Sequence, residues 1–230
     1  MSGRDLILLH GALGDSTQLA PLAATIGTAR RITVLELEGH GKTRFRDRPL
    51  RIETIAESVV DDMCALGIER ADFFGYSMGG YVALQIAATH PDRIERIATL
   101  ATKFAWTPEI ATRETAMLEP ATIRAKVPKF AAALEARHTG AGWEALLAQT
   151  ADLMRALGDR PSLGSDVLSS IAKPVRIGVG DRDATVGIDE SAAVARQLPH
   201  GELEVHPRTP HPFEKAPLDR IVRSLDEFLA

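Results

Sequence analysis

The sequence predicts an α/β fold, a mostly parallel sheet of about six strands with helices on both faces and a small helical cap. Three observations carry that expectation. Apolar runs of strand length alternate with stretches of helical period. Several of those runs are apolar throughout, as strands covered on both faces must be. One long interval, 103–170, holds no strand-like run but several amphipathic stretches.

Strands are expected at Asp5–His10, Arg31–Leu37, Ala71–Gly75, Ile94–Ala101, Pro174–Gly180 and Leu203–His206. Between the second and third, Ile55, Val59, Met63 and Leu66 recur at helical spacing, as do Val82 and Ile86 after the third and Ile221, Leu225 and Leu229 near the end. These are the expected crossover helices. Cys64, flanked by Val60, Met63 and Ile68, is expected to be a buried structural thiol. In the long interval, Val127, Phe130 and Leu134 mark one amphipathic helix and Trp143, Leu146, Leu147, Met154 and Leu157 another, with Pro108, Pro120, Pro128 and Pro161 dividing the rest into short pieces. An insertion after a strand sits over the carboxyl end of the sheet, where open α/β folds bind ligands. The expected organisation is a core of residues 1–102 and 171–230 with a helical cap, 103–170, inserted in it.

Composition narrows the function. Lys+Arg 27 against Asp+Glu 31 gives a net charge of −4, with no block of like charge, so nucleic acid is not an expected partner. The longest apolar runs fall far short of the roughly 20 residues that cross a bilayer, and no basic-then-apolar leader opens the chain. A cytoplasmic protein with no membrane partner is expected. Cys64 is the only cysteine, which excludes an intramolecular disulfide and a cysteine-held metal. The expected partner is a small-molecule substrate, and the expected assembly a monomer or homodimer.

The sharpest motif is Gly75-Tyr76-Ser77-Met78-Gly79-Gly80, between an expected strand and an expected helix. It fits a nucleophile elbow, G-x-S-x-G, in the strand-turn-helix context that gives the motif its meaning. A serine on so tight a turn has a strained backbone, and side chains at 75 and 79 would collide with the neighbouring chain. The turn lifts the Ser77 hydroxyl above the sheet and puts the Met78 N–H at a helix N-terminus, where it can stabilise an oxyanion. At the end of the first strand, His10-Gly11-Ala12 offers the Ala12 N–H as a second donor, and the His10 side chain is expected to be structural. A serine hydroxyl needs an imidazole as base and a carboxylate to fix that imidazole. Val179-Gly180-Asp181-Arg182-Asp183 and Thr209-Pro210-His211-Pro212-Phe213-Glu214, each after a strand, supply candidates for both.

Taken in order, His10-Gly11, Gly39-His40-Gly41, the elbow at Ser77, Gly180-x-x-Asp183 and His211-x-x-Glu214 resemble the α/β-hydrolase superfamily, of the single-domain type with a helical cap. The resemblance covers nearly the whole chain except the cap. It implies an α/β-hydrolase fold, Ser77 as nucleophile, His211 as base, Asp183 as its orienting acid, the N–H groups of Ala12 and Met78 as oxyanion hole, and neither metal nor organic cofactor. Family spacing favours Asp183 over Asp181; His206 ends a strand and is expected to be structural, whereas His211 sits in the following loop. Two departures stand out. Relatives carry antiparallel strands before the His-Gly segment that this sequence does not show, so about six strands are expected. The loop Glu36-Leu37-Glu38-Gly39-His40-Gly41-Lys42-Thr43 has Glu36 where the family has Asp, Glu38 for Pro and Thr43 for Ser. His40 is expected to be structural.

The expected activity is serine-dependent hydrolysis of a small or medium, largely apolar ester or related acyl compound through an acyl-enzyme. Carbon–carbon bond hydrolysis, lyase or perhydrolase chemistry with the same triad is one alternative, and a receptor-like binding protein with weak or no turnover another. Epoxide and haloalkane hydrolysis are disfavoured, because those relatives need a carboxylate where this chain has Ser77. Tyr76, Phe104, Trp106, Phe130 and Trp143 are expected to line the substrate pocket. Between Lys103 and Asp166 basic and acidic residues are equal in number, so the count alone favours no anion.

Overall fold

The computed structural model describes residues 4–26 and 30–230. Strands β1 (Asp5–Leu9), β2 (Arg31–Leu35), β3 (Ala71–Tyr76), β4 (Ile94–Leu100), β5 (Val175–Gly180) and β6 (Gly201–His206) form one 6-stranded sheet in the order β2-β1-β3-β4-β5-β6. Every pairing is parallel. Three strands end earlier than expected. His10 leaves the ladder because its ring accepts the Leu37 N–H, which takes Leu37 out of β2 as well, and Ala101, at φ 58°, turns the chain out of β4.

Side chains alternate between the two faces of the sheet. Ile7, Leu9, Phe73 and Ile97 point to one, packed by α2 (Ile52–Ala65), α3 (Met78–Thr89) and α9 (Ile188–Gln197). Leu6, Leu8, Phe74 and Leu100 point to the other, packed by α1 (Ala20–Thr25) and α10 (Leu218–Phe228). The run Leu6-Ile7-Leu8-Leu9 is wholly buried, each side chain contributing about 1.5–3 kcal/mol. Edge strand β6 differs, with Leu203 and Val205 exposed.

Cys64 is exposed rather than buried. Met63 holds the inward position in the last turn of α2, and the next residue points about 100° away around the helix. Its Sγ accepts from Arg93 Nη2 at 3.0 Å.

Between β4 and β5 run α4 (Pro108–Thr115), α5 (Pro120–Lys126), α6 (Pro128–Arg137), α7 (Trp143–Asp159) and α8 (Ser165–Ser170). Proline opens α4, α5 and α6, a position that wastes no helical donor. Ile123, Ala131, Leu134, Trp143 and Leu147 form a small core of their own, while Leu153 and Leu157 of α7 join the core on the sheet. Among the described residues no helix is long and apolar enough to cross a membrane.

Candidate active site

The chain leaves β1 for β2 on one side, whereas β3, the other neighbour of β1, leads to β4 on the opposite side. Loops that leave adjacent strands in opposite directions open a crevice at the carboxyl ends, the usual ligand position in such sheets. The loop after β1 carries Ala12, and the turn after β3 carries Ser77.

Ser77 has φ 51° and ψ −116°, a conformation that costs a non-glycine residue of order 1–3 kcal/mol. Its surroundings over-determine the turn. The Ser77 N–H donates to the Leu100 carbonyl at 2.8 Å, and the Ser77 carbonyl accepts the Thr102 hydroxyl at 3.0 Å. A Cβ at Gly79 would strike the carbonyl oxygens of Leu9 and His10, and one at Gly75 would strike the backbone of Gly79 and Gly80. The elbow thus needs both glycines because helix α3 starts hard against β1.

Asp183 lies in the loop after β5. Its side chain is fully buried, Oδ1 accepts the N–H groups of Thr185 at 2.8 Å and Val186 at 2.9 Å, and Oδ2 stands 2.8 Å from Nδ1 of His211. Burial pushes this carboxyl up, but the bonds from His211, Val186 and Thr185 outweigh it and hold the group below the ordinary carboxylate range. An ionised carboxylate only accepts, so Nδ1 of His211 is the donor, which in the neutral tautomer leaves the lone pair on Nε2. The loop bearing His211 is tied down at two points. The Tyr76 hydroxyl donates to the His211 carbonyl at 2.9 Å, and Asp181 Oδ1 accepts the Thr209 N–H at 3.2 Å. Asp181 therefore serves the loop and does not touch the imidazole.

Ala12, Ser77, Met78 and His211 border one cavity of about 240 Å³. Among the described residues the N–H groups of Ala12 and Met78 have no backbone acceptor, and no hydrogen bond joins Ser77 to His211. The wall is largely apolar, with Ile52, Trp106, Met117, Leu153, Met154 and Leu157, and it also carries Lys103, Glu114, Thr150 and Thr185.

Of the five residues expected in the pocket, Trp106 alone lines it. Tyr76 is buried behind the elbow against Phe213. Phe104 stacks on Tyr81, Phe130 is exposed on the surface of α6, and Trp143 fills the small cap core beneath Arg124. Each is apolar for a packing reason, apart from the exposed Phe130. The sequence reading missed Thr102, which pins the elbow, and Lys103. Their signal was position, directly beyond a strand at the carboxyl edge.

His10 and His40 are buried side by side, ring centroids 5.1 Å apart. His10 Nε2 accepts the Leu37 N–H at 3.1 Å, leaving Nδ1 to donate to the Gly11 carbonyl at 2.9 Å. A third imidazole, His138 at the end of α6, accepts the buried Gly41 N–H at 2.9 Å on Nδ1, and its Nε2 lies 3.1 Å from the Leu13 carbonyl, which also accepts from Arg137 at 2.8 Å. His10 and His138 clamp the loop after β1 to the 37–41 segment and to α6, while His40 Nδ1 bonds the Glu38 carbonyl within its own turn. The substituted turn keeps its shape through Gly39 at φ 77° and Gly41 at φ 54°, with Glu38 held by Ser58 and the Arg46 N–H.

Comparison with known proteins adds the following. A family model described as alpha/beta hydrolase fold matches residues 6–161. Esterase YbfF of Escherichia coli (strain K12) is 30% identical over 95 residues, and the match spans 41% of this chain but only 37% of that protein. A pimeloyl-[acyl-carrier protein] methyl ester esterase of Chromobacterium violaceum is 28% identical over 252 aligned positions, covering 99% of this chain and 94% of that protein. Among solved structures, the enol-lactonase from Burkholderia xenovorans LB400 superposes with a TM-score of 0.80 at 20% identity, over 100% of this chain and 92% of the other. A thermophilic esterase from Thermogutta terrifontis gives 0.77 at 22% identity, over 99% and 90%.

Proposed function

The chain belongs to the α/β-hydrolase fold family, and from that premise we propose that it is a serine hydrolase of a small, largely apolar carboxylic ester or related acyl compound. One observation carries the proposal: Ser77, on a strained turn, shares a cavity with an imidazole whose Nδ1 is held by a buried carboxylate and with two backbone N–H groups that have no backbone acceptor. In this reading Ser77 Oγ attacks the acyl carbon while His211 Nε2 takes its proton, and the carbonyl oxygen gathers charge between the N–H groups of Ala12 and Met78. His211 returns the proton to the leaving alcohol, then draws one from water, which cleaves the acyl-enzyme and frees Ser77. The Ser77–His211 hydrogen bond closes on the bound substrate, as such bonds commonly do.

Size and lining support a short acyl group. At about 240 Å³ the cavity lies below the roughly 300–1,000 Å³ of drug-sized sites. The names of relatives such as esterase YbfF and the pimeloyl-[acyl-carrier protein] methyl ester esterase favour ester cleavage among the reactions this fold hosts.

The test is the intact mass of the purified protein after exposure to a fluorophosphonate, with Ser77→Ala in parallel. One adduct, absent from the variant, is expected. Absence of the adduct from folded wild-type protein would refute the proposal and favour a binding protein without turnover.

A further inference from the structure

Among the described residues, Lys103 is the one lysine or arginine that borders the cavity. β4 ends at Leu100, Thr102 is fixed to the elbow carbonyl, and Lys103 follows at once, so its stem starts from a rigid point beside Ser77. The side chain borders the cavity and is 12% exposed. Its ammonium donates to the Thr185 carbonyl at 2.8 Å. The nearest carboxylate oxygen, Oε1 of Glu114, is 3.9 Å away, beyond hydrogen-bond reach, and the same oxygen takes Arg113 Nη2 at 3.2 Å.

An ammonium has three donors. Among the described residues one of Lys103's is used. The other two have no protein acceptor among these residues, and the cavity that the side chain borders is where an acceptor on a bound substrate would meet them. Glu114 forms a long ion pair with it at 3.9 Å and shares the same oxygen with the exposed Arg113, so this trio of two cations and one carboxylate carries a net formal charge of +1. An apolar wall that also presents an ammonium with free donors suits a substrate that joins a hydrocarbon segment to an anionic group.

Building on the serine hydrolase reading above, we propose that Lys103 is a specificity-determining residue that binds a carboxylate on the substrate, so that the preferred substrates are monoesters of short dicarboxylic acids. Glu114 opposes the same anion. It moderates the affinity of the site and favours release of the dianionic product.

The experiment compares kcat/KM for mono-p-nitrophenyl glutarate with that for p-nitrophenyl valerate, esters of equal acyl length that differ in the terminal charge. In Lys103→Met the glutarate-to-valerate ratio falls about tenfold or more, the effect of losing a hydrogen bond to a charged group, and the loss is chiefly in KM. In Glu114→Gln the ratio rises. A ratio that stays within about threefold of wild type in Lys103→Met overturns the inference, since a purely structural Lys103–Thr185 strap would slow both esters alike. Should Lys103→Met fail to fold, Glu114→Gln decides, and an unchanged or lower ratio overturns the inference. If wild type takes no fluorophosphonate adduct and hydrolyses neither ester, the serine hydrolase reading itself has failed. Valerate turnover with a ratio insensitive to both substitutions removes the Lys103 inference alone.

Discussion

Asp183→Asn tests the proposed chemistry most directly, because the structure dictates how the new amide must sit. Oδ1 of Asp183 accepts two backbone N–H groups, from Thr185 and Val186. Only the amide oxygen of asparagine can replace it there, so the amide nitrogen is forced toward His211 Nδ1. That nitrogen donates, and His211 must then accept at Nδ1 and carry its proton on Nε2. The imidazole becomes unable to take the Ser77 proton although no atom has moved far. Loss of the correct tautomer together with the charge costs about 10³–10⁴ in kcat, or ~4–5.5 kcal/mol of barrier. Folding stability changes by less than about 1 kcal/mol, since the two backbone donors stay satisfied. Turnover of p-nitrophenyl valerate and the urea midpoint measure the two quantities separately. Asp181→Asn, whose amide oxygen can still accept the Thr209 N–H, is the matched control and should be slowed far less. A variant Asp183→Asn within tenfold of wild type, or a larger loss in Asp181→Asn, would refute the assignment of the acid.

Two further predictions concern stability. Ser77→Gly should be more stable than Ser77→Ala by about 1 kcal/mol in urea unfolding, because glycine relieves the φ 51° conformation that alanine keeps; equal midpoints would show that the turn is unstrained. Burial holds the His40 pKa well below the 6.5 of an ordinary imidazole, with His10 and His138 adding to the depression and the Glu38 carbonyl opposing it. Below that value the unfolded chain binds a proton that the folded chain refuses, so stability falls as pH falls, by up to about 1.4 kcal/mol per pH unit. His40→Gln should flatten the decline of the urea midpoint between about pH 6.5 and 5, and a slope as steep as wild type would count against a neutral buried His40.

The parts of the molecule legible in the sequence are those where one residue type is required locally. Gly75 and Gly79 have backbone where a side chain would be, and continuous apolar runs such as Leu6 to Leu9 admit few places outside a two-sided sheet. The order of motifs likewise identified the loops that meet at the cavity. What stayed hidden depends on tertiary packing. Trp143 and Trp106 are chemically alike, yet one fills the cap core and the other the cavity wall, and nothing in their neighbours distinguishes the two. Cys64 turned on a single step around α2. Lys103 was masked by the equal numbers of basic and acidic residues around it, since a balanced count is silent about which charge faces inward.

The clamp formed by His138 bears on how this protein can diverge. Trp106, Glu114, Met117, Thr150, Leu153, Met154 and Leu157 all come from the stretch between β4 and β5. The wall of the cavity can therefore be rewritten by exchanging one continuous segment, with the elbow and the imidazole left alone. The exchange has fixed points, and His138 is one of them. The Gly41 N–H is buried and has His138 as its acceptor, and leaving such a group unpaired costs about 1–3 kcal/mol. A graft that replaces α6 must bring its own acceptor to that spot, and one that replaces α7 must keep apolar bulk at Leu153 and Leu157, which line the cavity and also join the core on the sheet.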